Sequence, residues 1–176
     1  MNITLETVRR NTENAEKTEE LARKTFPPEE LSSLLPLMED EKGFGEVLSI
    51  QQNGAFAGFC ACLNVGNICH VIYFAVREDL RGRGIGREAL NVLAEIKEDR
   101  RIIVDIEQPT EDAENLPERL RRKNFYLRNG FSETETKYNW RGVDYEILSC
   151  GGFVSDAEFW DFWKVLEDAD GKYLIY

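Results

Sequence analysis

Along the 176 residues of the chain, the spacing of apolar positions changes period several times, and each change marks an element. The stretch NTENAEKTEELARKTFPPEELSSLLPLMED predicts a helix, a break at Phe26-Pro27-Pro28 and a second short helix. Asn11 or Thr12 can cap the first helix, and the prolines stop it because they lack the amide that a helix interior needs; either proline can equally open the next helix. In GEVLSIQQNGAFAGFCACLNV two apolar runs flank Asn53-Gly54, a strong hairpin signal because both residues tolerate positive φ. A second turn at Val65-Gly66-Asn67 leads into ICHVIYFAV, a strand too continuously apolar to keep one face wet. Three antiparallel strands in a row are expected.

Helical period returns after the glycines at 82–86, where Ile85, Ala89, Val92, Leu93 and Ile96 form one stripe. RIIVDI is again strand-like and ends in Glu107-Gln108-Pro109. ENLPERLRRKNFYLRNG predicts a helix stopped by Gly130, a natural occupant of the left-handed position after a helix. ETKYNWRGVDYEILSC reads as a strand, an Arg141-Gly142 turn and a further strand. The tail opens with a capping box, Ser155 and Glu158, and ends in a short strand candidate, KYLIY. The order is two helices, three strands, helix, strand, helix, two strands and an extra helix. That is a mixed α/β (α+β) domain around one sheet.

Composition changes this picture little. Hydrophobic residues make up 42% and charged residues 31%, which is ordinary for a folded domain. No apolar run approaches the roughly 18 residues of a membrane span, and MNITLETVRR shows no leader pattern, so the expectation is a cytoplasmic protein with no membrane partner. The formal net charge of −11 counts against a nucleic-acid partner, which calls for a basic field. Cys60, Cys62, Cys69 and Cys150 lack paired metal-ligand spacing, and His70 is the single histidine. Buried, reduced thiols and no metal are expected.

One segment does not fit an acidic chain. In YFAVREDLRGRGIGREALNVL, Gly82, Gly84 and Gly86 are surrounded by Arg81, Arg83 and Arg87. A strand feeding a glycine turn that opens a helix makes an anion cradle: the backbone can approach a phosphate, and the first helical amides point at it. Spacing separates the families that use this device. The dinucleotide fingerprint needs a glycine where Arg87 stands, and the phosphate loop of nucleotide triphosphatases needs a Gly-Lys-Ser/Thr that is missing. The residues from Arg81 to Gly86 fit R-x-x-G-x-G, and they follow antiparallel strands, not a βαβ crossover.

FAVREDLRGRGIG resembles the strand and pyrophosphate loop of the GNAT N-acetyltransferases, and RRKNFYLRNGFSET resembles their later helix, tyrosine and Gly-Phe turn. The resemblance covers residues 5 to 150. It implies a central, splayed, mostly antiparallel sheet flanked by helices, with an acetyltransferase domain at 1–150 and a helical extension at 151–176 on the same domain. It implies acetyl-CoA as co-substrate and a primary amine, on a small molecule or a protein, as acceptor. The main chain of Phe74 and Val76 would take thioester and pantetheine; the amides of Arg81, Gly82, Arg83, Gly84, Ile85, Gly86 and Arg87 would hold the pyrophosphate. Arg77, Arg83 and Arg87 could add charge, and one or two of Arg119, Arg121, Arg122 and Lys123 could reach the adenosine phosphate.

Acetyl transfer requires a base for the ammonium, a donor for the oxyanion and a proton for the leaving thiolate. The resemblance assigns the donor to the Phe74 amide and the acid to Tyr126. Glu107, which ends a buried strand, is the first candidate for the base, with Asp105 on its face by alternation. His70 has the suitable unperturbed pKa but lies six residues before Val76, and Tyr73 is a candidate substrate contact. The alternative is a non-catalytic module that binds acyl-CoA or a partner on the same scaffold. Phe159, Trp160, Phe162, Trp163, Tyr173 and Tyr176 leave three roles open: capping the acceptor pocket, sealing a homodimer or covering the sheet.

Overall fold

The computed structural model describes residues 1–169; the KYLIY strand candidate, with Tyr173 and Tyr176, lies outside them. Seven strands are ordered β1-β2-β3-β4-β5-β7-β6: β1 (Ile3–Thr7), β2 (Gly45–Gln52), β3 (Ala55–Val65), β4 (Ile68–Val76), β5 (Arg101–Glu107), β6 (Ser132–Trp140) and β7 (Val143–Cys150). The helices are α1 (Glu13–Thr25), α2 (Leu35–Met38), α3 (Ile85–Ile96), α4 (Leu116–Arg128) and α5 (Asp156–Asp168). This is the mixed α/β, mostly antiparallel architecture expected, with one strand more. β1 escaped the apolar pattern because only Ile3 and Leu5 alternate there, on a five-residue edge strand.

Two compact units divide the chain: Met1–Asn64 with Val71–Ile96, and Val65–His70 with the described residues from Lys97. In the first, Asn53 and Gly54 take φ of 50° and 80°, the left-handed pair that a two-residue hairpin between β2 and β3 demands. Thr12, not Asn11, caps α1, its side chain accepting from the Ala15 amide. Ala15, Thr18, Leu21 and Ala22 form the buried stripe of α1. Past the end of that helix, Phe26 meets Tyr73 and Phe59 edge-on, at 5.0 and 6.4 Å between ring centroids. On α3, Ile85 and Ala89 pack with Ile3, Ile50 and Ala57, so the unforeseen β1 supplies part of the seat of α3.

The second unit is built on β5 and β7, antiparallel with Asp105 opposite Ile147 and Glu107 opposite Tyr145. β6 runs antiparallel to β7 and forms the sheet's edge. The Arg141-Gly142 turn that joins them has φ of 49° and 83°. The capping box of Ser155 and Glu158 opens α5, which buries Phe159, Phe162 and Leu166 and leaves Trp160 exposed. Cys60, Cys62 and Cys69 are buried thiols as expected, whereas Cys150 is only half-buried.

The first unit carries one unusually close approach. β3 and β2 slip register between Ile50 and Gln51, which face Gly58 and Phe56 and leave Ala57 as an extra residue. The Ala57 carbonyl accepts from the Arg77 amide at 2.9 Å, just past the end of β4. A Cβ on Gly58 would collide with the Ala75 carbonyl oxygen and stand 3.0 Å from Val76 Cα. Backbone atoms cannot rotate out of the way. Gly58→Ala is therefore expected to destabilise the fold by about 1–3 kcal/mol, the usual cost of overpacking, seen as a lower urea midpoint at unchanged slope. An unchanged midpoint would show that β3 and β4 have room to spare there.

Candidate active site

The predicted anion cradle is assembled within the first unit. After β4, a single 3-10 turn over Glu78–Leu80 carries the chain to Arg81. Gly82 and Gly84 then take φ of 74° and 82°, values that side-chain-bearing residues adopt only with strain. The Gly84 carbonyl accepts from the Glu88 amide at 3.1 Å, so Gly84 caps α3 and the amides of Ile85, Gly86 and Arg87 form its first turn. Such amides have no carbonyl one turn earlier to bond, and the helix dipole adds positive potential at this end. Arg81, Arg83 and Arg87 are all exposed around the turn, while Ile85 is buried and anchors it. Gly86, already helical, has no positive φ, so its glycine is not required by backbone conformation.

Two arginines beside the cradle are occupied. Arg77 donates to both carboxylate oxygens of Asp79, at 3.1 and 2.7 Å, and to the Phe56 carbonyl at 3.1 Å. Arg81 Nε donates to the Val76 carbonyl at 3.0 Å. Phe74 and Val76 are half-buried and pack against the core of Ile50, Ala57 and Ile85. A groove of about 1050 Å³ lies nearby in this unit, lined in part by Lys17, Lys24, Phe56, Arg77, Asp79 and Arg81. Three of its cations are already paired, Lys17 with Glu13, Lys24 with Glu20 and Arg77 with Asp79.

Tyr73 is a structural pin: its hydroxyl donates to the Glu30 carbonyl at 2.8 Å and accepts from the Ser32 amide at 3.0 Å, holding the segment that follows α1.

Glu107 and Tyr126 belong to the second unit. Glu107 is 7% exposed, at the end of β5. Its Oε2 lies 2.7 Å from Arg119 Nε and accepts from Asn115 at 3.5 Å, whereas among the described residues Oε1 has only Arg122, at 3.8 Å. Arg119 also donates to Asn115 Oδ1 and to the Gln108 carbonyl, at 2.7 and 2.9 Å. Tyr126, also 7% exposed, is the one buried residue of α4. Its ring meets Phe125 and Phe131 edge-on, each at 5.2 Å.

A helix-ending motif holds the main chain at Tyr126. Gly130 has φ of 86°, and the Phe131 amide donates back to the Tyr126 carbonyl at 3.2 Å. This six-to-one bond, with ring contact between the same two residues, is the Schellman arrangement.

The basic cluster on α4 splits in two. Arg119 and Lys123 are committed to carboxylates, Lys123 to Glu146 at 2.6 Å and to Glu133. Burial works against the Lys123 ammonium, yet its hydrogen bonds to Glu133 and Glu146 outweigh that and hold its pKa above the ordinary lysine value. Arg121 and Arg122 remain exposed.

His70 is fully buried, with Nε2 3.1 Å from Asp105 Oδ1 and its ring against Phe159, Phe162 and Trp163. The Tyr138 hydroxyl donates to the other Asp105 oxygen at 2.9 Å. Burial, followed by the negative charge of Asp105, pushes the Tyr138 phenol well above its ordinary pKa. Phe159 and Phe162 of α5 are buried against His70 of β4, and Phe159 also stacks on Tyr138 of β6.

Sequence reasoning passed over Gly58 and Asn115. A lone glycine inside the apolar run AFAGFCAC was the available signal for the first; nothing local marked the second.

The family model described as the Acetyltransferase (GNAT) family matches residues 15–131. No curated protein matches the chain. Among solved structures, a GNAT-family acetyltransferase from Bacteroides thetaiotaomicron is similar at 24% identity, with a TM-score of 0.78 over 93% of this chain and 96% of that one. A GNAT acetyltransferase from Elizabethkingia anophelis with acetyl-CoA bound aligns at 16% identity and a TM-score of 0.56, over 85% of this chain and 97% of that one. The PaiA N-acetyltransferase from Thermoplasma acidophilum, in complex with coenzyme A, aligns at 16% identity and a TM-score of 0.61, over 85% and 99%. With the family model matching residues 15–131, well over half of the chain, this protein belongs to the GNAT acetyltransferase family.

Proposed function

We propose that the protein transfers the acetyl group of acetyl-CoA to a primary amine by direct attack, with residues 1–150 as the acetyltransferase domain and 151–176 as an extension. The observation that carries this reading is the cradle itself. Two glycines in left-handed conformation deliver the chain from β4 into the first turn of α3, among three exposed arginines. Such a site suits a pyrophosphate, and the structural relatives from Elizabethkingia and Thermoplasma hold acetyl-CoA and coenzyme A.

When bound, acetyl-CoA supplies the activated thioester. The amides from Arg81 to Arg87 bind its pyrophosphate, and the main chain of Phe74 and Val76 orients the thioester arm. Tyr126 gives its phenolic proton to the departing thiolate. Glu107 takes the proton of the ammonium through Oε1, the oxygen that Arg119 leaves less engaged. A neutral amine, its first proton removed, then attacks the carbonyl. As the tetrahedral intermediate collapses, the nitrogen's second proton replaces the one that Tyr126 gave to the thiolate, and the products are an amide and free coenzyme A. The acceptor is a small-molecule or protein amine.

One observation favours the non-catalytic alternative, namely that Glu107 is tied to Arg119 and Asn115 in this structure. Release of thiol from acetyl-CoA across a panel of amines separates the two readings: turnover with any amine supports the enzyme, and acetyl-CoA binding without turnover supports the module.

Gly84→Val forces a β-branched residue into a φ of 82°. Calorimetry is expected to show acetyl-CoA binding by the native chain and at least a tenfold loss in this variant, about 1.4 kcal/mol. Undiminished affinity in a folded Gly84→Val protein would remove the cradle from the site.

Tyr126→Phe retains ring packing and removes the proton, so acetyl-CoA affinity is expected to hold while kcat falls by about 10²–10⁴-fold. Glu107→Gln is expected to flatten the acidic limb of the kcat/KM profile for an aliphatic amine and to cost little with an aromatic amine already neutral at the assay pH. Near-native turnover in both variants would reject these two roles.

A further inference from the structure

The charged residues that seat α4 do more than solubilise it. Tyr126 is the helix's one buried residue, with Leu116 and Phe125 half-buried and Leu120 and Leu127 exposed, so charged side chains supply much of its attachment to the second unit's strands. Arg119, Lys123 and Tyr126 follow each other at spacings of four and three, which places all three on one helical face. Arg119 is fastened to Glu107 at the end of β5. One turn later, Lys123, with a side chain 17% exposed, reaches Glu146 of β7 and Glu133 of β6. Glu146 is itself 7% exposed, and a buried carboxylate tolerates little movement of the cation that compensates it. The next residue on that face is Tyr126.

We propose that Lys123 is a positioning residue: its bridge to Glu146 and Glu133 sets the rotation of α4 and thereby the place of the Tyr126 phenol. The proposal rests on the reading of Tyr126 as the acid for its kinetic consequence, but not for the geometry. Lys123 is thereby withdrawn from the group of cations available to the adenosine phosphate. A ring that must deliver a proton needs its oxygen held to a fraction of an ångström, and the Schellman turn at Gly130 fixes only the C-terminal end of the helix. Lys123 fixes the rotation.

The test pairs Lys123→Met with Glu146→Gln, so that no buried charge is left without a partner and the protein can fold. Incorporated 3-fluorotyrosine gives a fluorine NMR resonance for position 126, assigned by its disappearance in Tyr126→Phe. The paired variant is expected to shift or broaden that resonance, and Lys123→Arg to return it close to the native position. An unmoved resonance in the folded pair overturns the proposal whatever the kinetics.

With acetyl-CoA and the amine selected by the panel, kcat of the pair is expected to fall about tenfold, a change of about 1.4 kcal/mol, while KM for acetyl-CoA stays within about twofold. In a Tyr126→Phe background the same pair is expected to cost under about twofold, because the group being positioned is gone. A tenfold loss repeated in full in that background would show that Lys123 acts otherwise than through Tyr126, and overturns the proposal. Should Tyr126→Phe alone keep native turnover while the resonance still moves in the pair, the acid role falls and the positioning stands.

Discussion

The first-turn amides of a helix have no carbonyls of their own to bond, and in this protein the chain is arranged so that those of α3 open at a glycine turn set among arginines. Much of the first unit bears on that placement. β4 delivers the chain to the turn, and a short 3-10 turn absorbs the change of direction. Gly82 and Gly84 supply the left-handed conformations that complete the reversal. Ile85 and Ala89 then fasten α3 to Ile3, Ile50 and Ala57, so the amides are held by packing before any ligand arrives. Preorganisation of this kind lowers the cost of binding an anion, because the dipoles do not need to be reoriented.

Charge is used at two scales. The whole chain carries a formal −11, which repels polyanions at long range. The arginines of the turn counter that field locally, where screening by salt leaves only near neighbours effective. Elsewhere the cations are spent inside the fold. Arg119 locks Glu107, and Lys123 joins two carboxylates from two strands. A basic cluster on one helix thus divides between internal ties and the exposed Arg121 and Arg122.

Local chemistry was legible in the sequence wherever a single residue type decides the backbone. Asn53-Gly54, Arg141-Gly142, Gly130 and the Ser155–Glu158 box all do what their conformational preferences require. The R-x-x-G-x-G turn belongs to the same class. β1 was not legible, since five residues with two apolar positions match a frayed terminus as well as a strand. Nor were the environments of His70 and Tyr73, because burial depends on which elements cover a residue. His70 is enclosed by the rings of α5, some 90 residues further along, and Tyr73 is capped by Glu30 and Ser32. The ion pairs of α4 were hidden for a similar reason: Lys123 and Glu146 meet because α4 packs against β7, which local spacing does not encode. Gly58 was visible as an anomaly in an apolar strand, but its meaning needed the neighbouring carbonyl of Ala75.

The central claim is that the backbone between Gly82 and Arg87 holds the pyrophosphate. Nitrogen-15 NMR on the assigned protein tests it most directly, by titration with coenzyme A and, separately, with pantetheine, which lacks the pyrophosphate. The account predicts that coenzyme A shifts the amides of Gly82 to Arg87 more than any others and that pantetheine leaves them nearly unmoved. Saturable binding of coenzyme A with these amides unperturbed, or equal shifts with pantetheine, would contradict it.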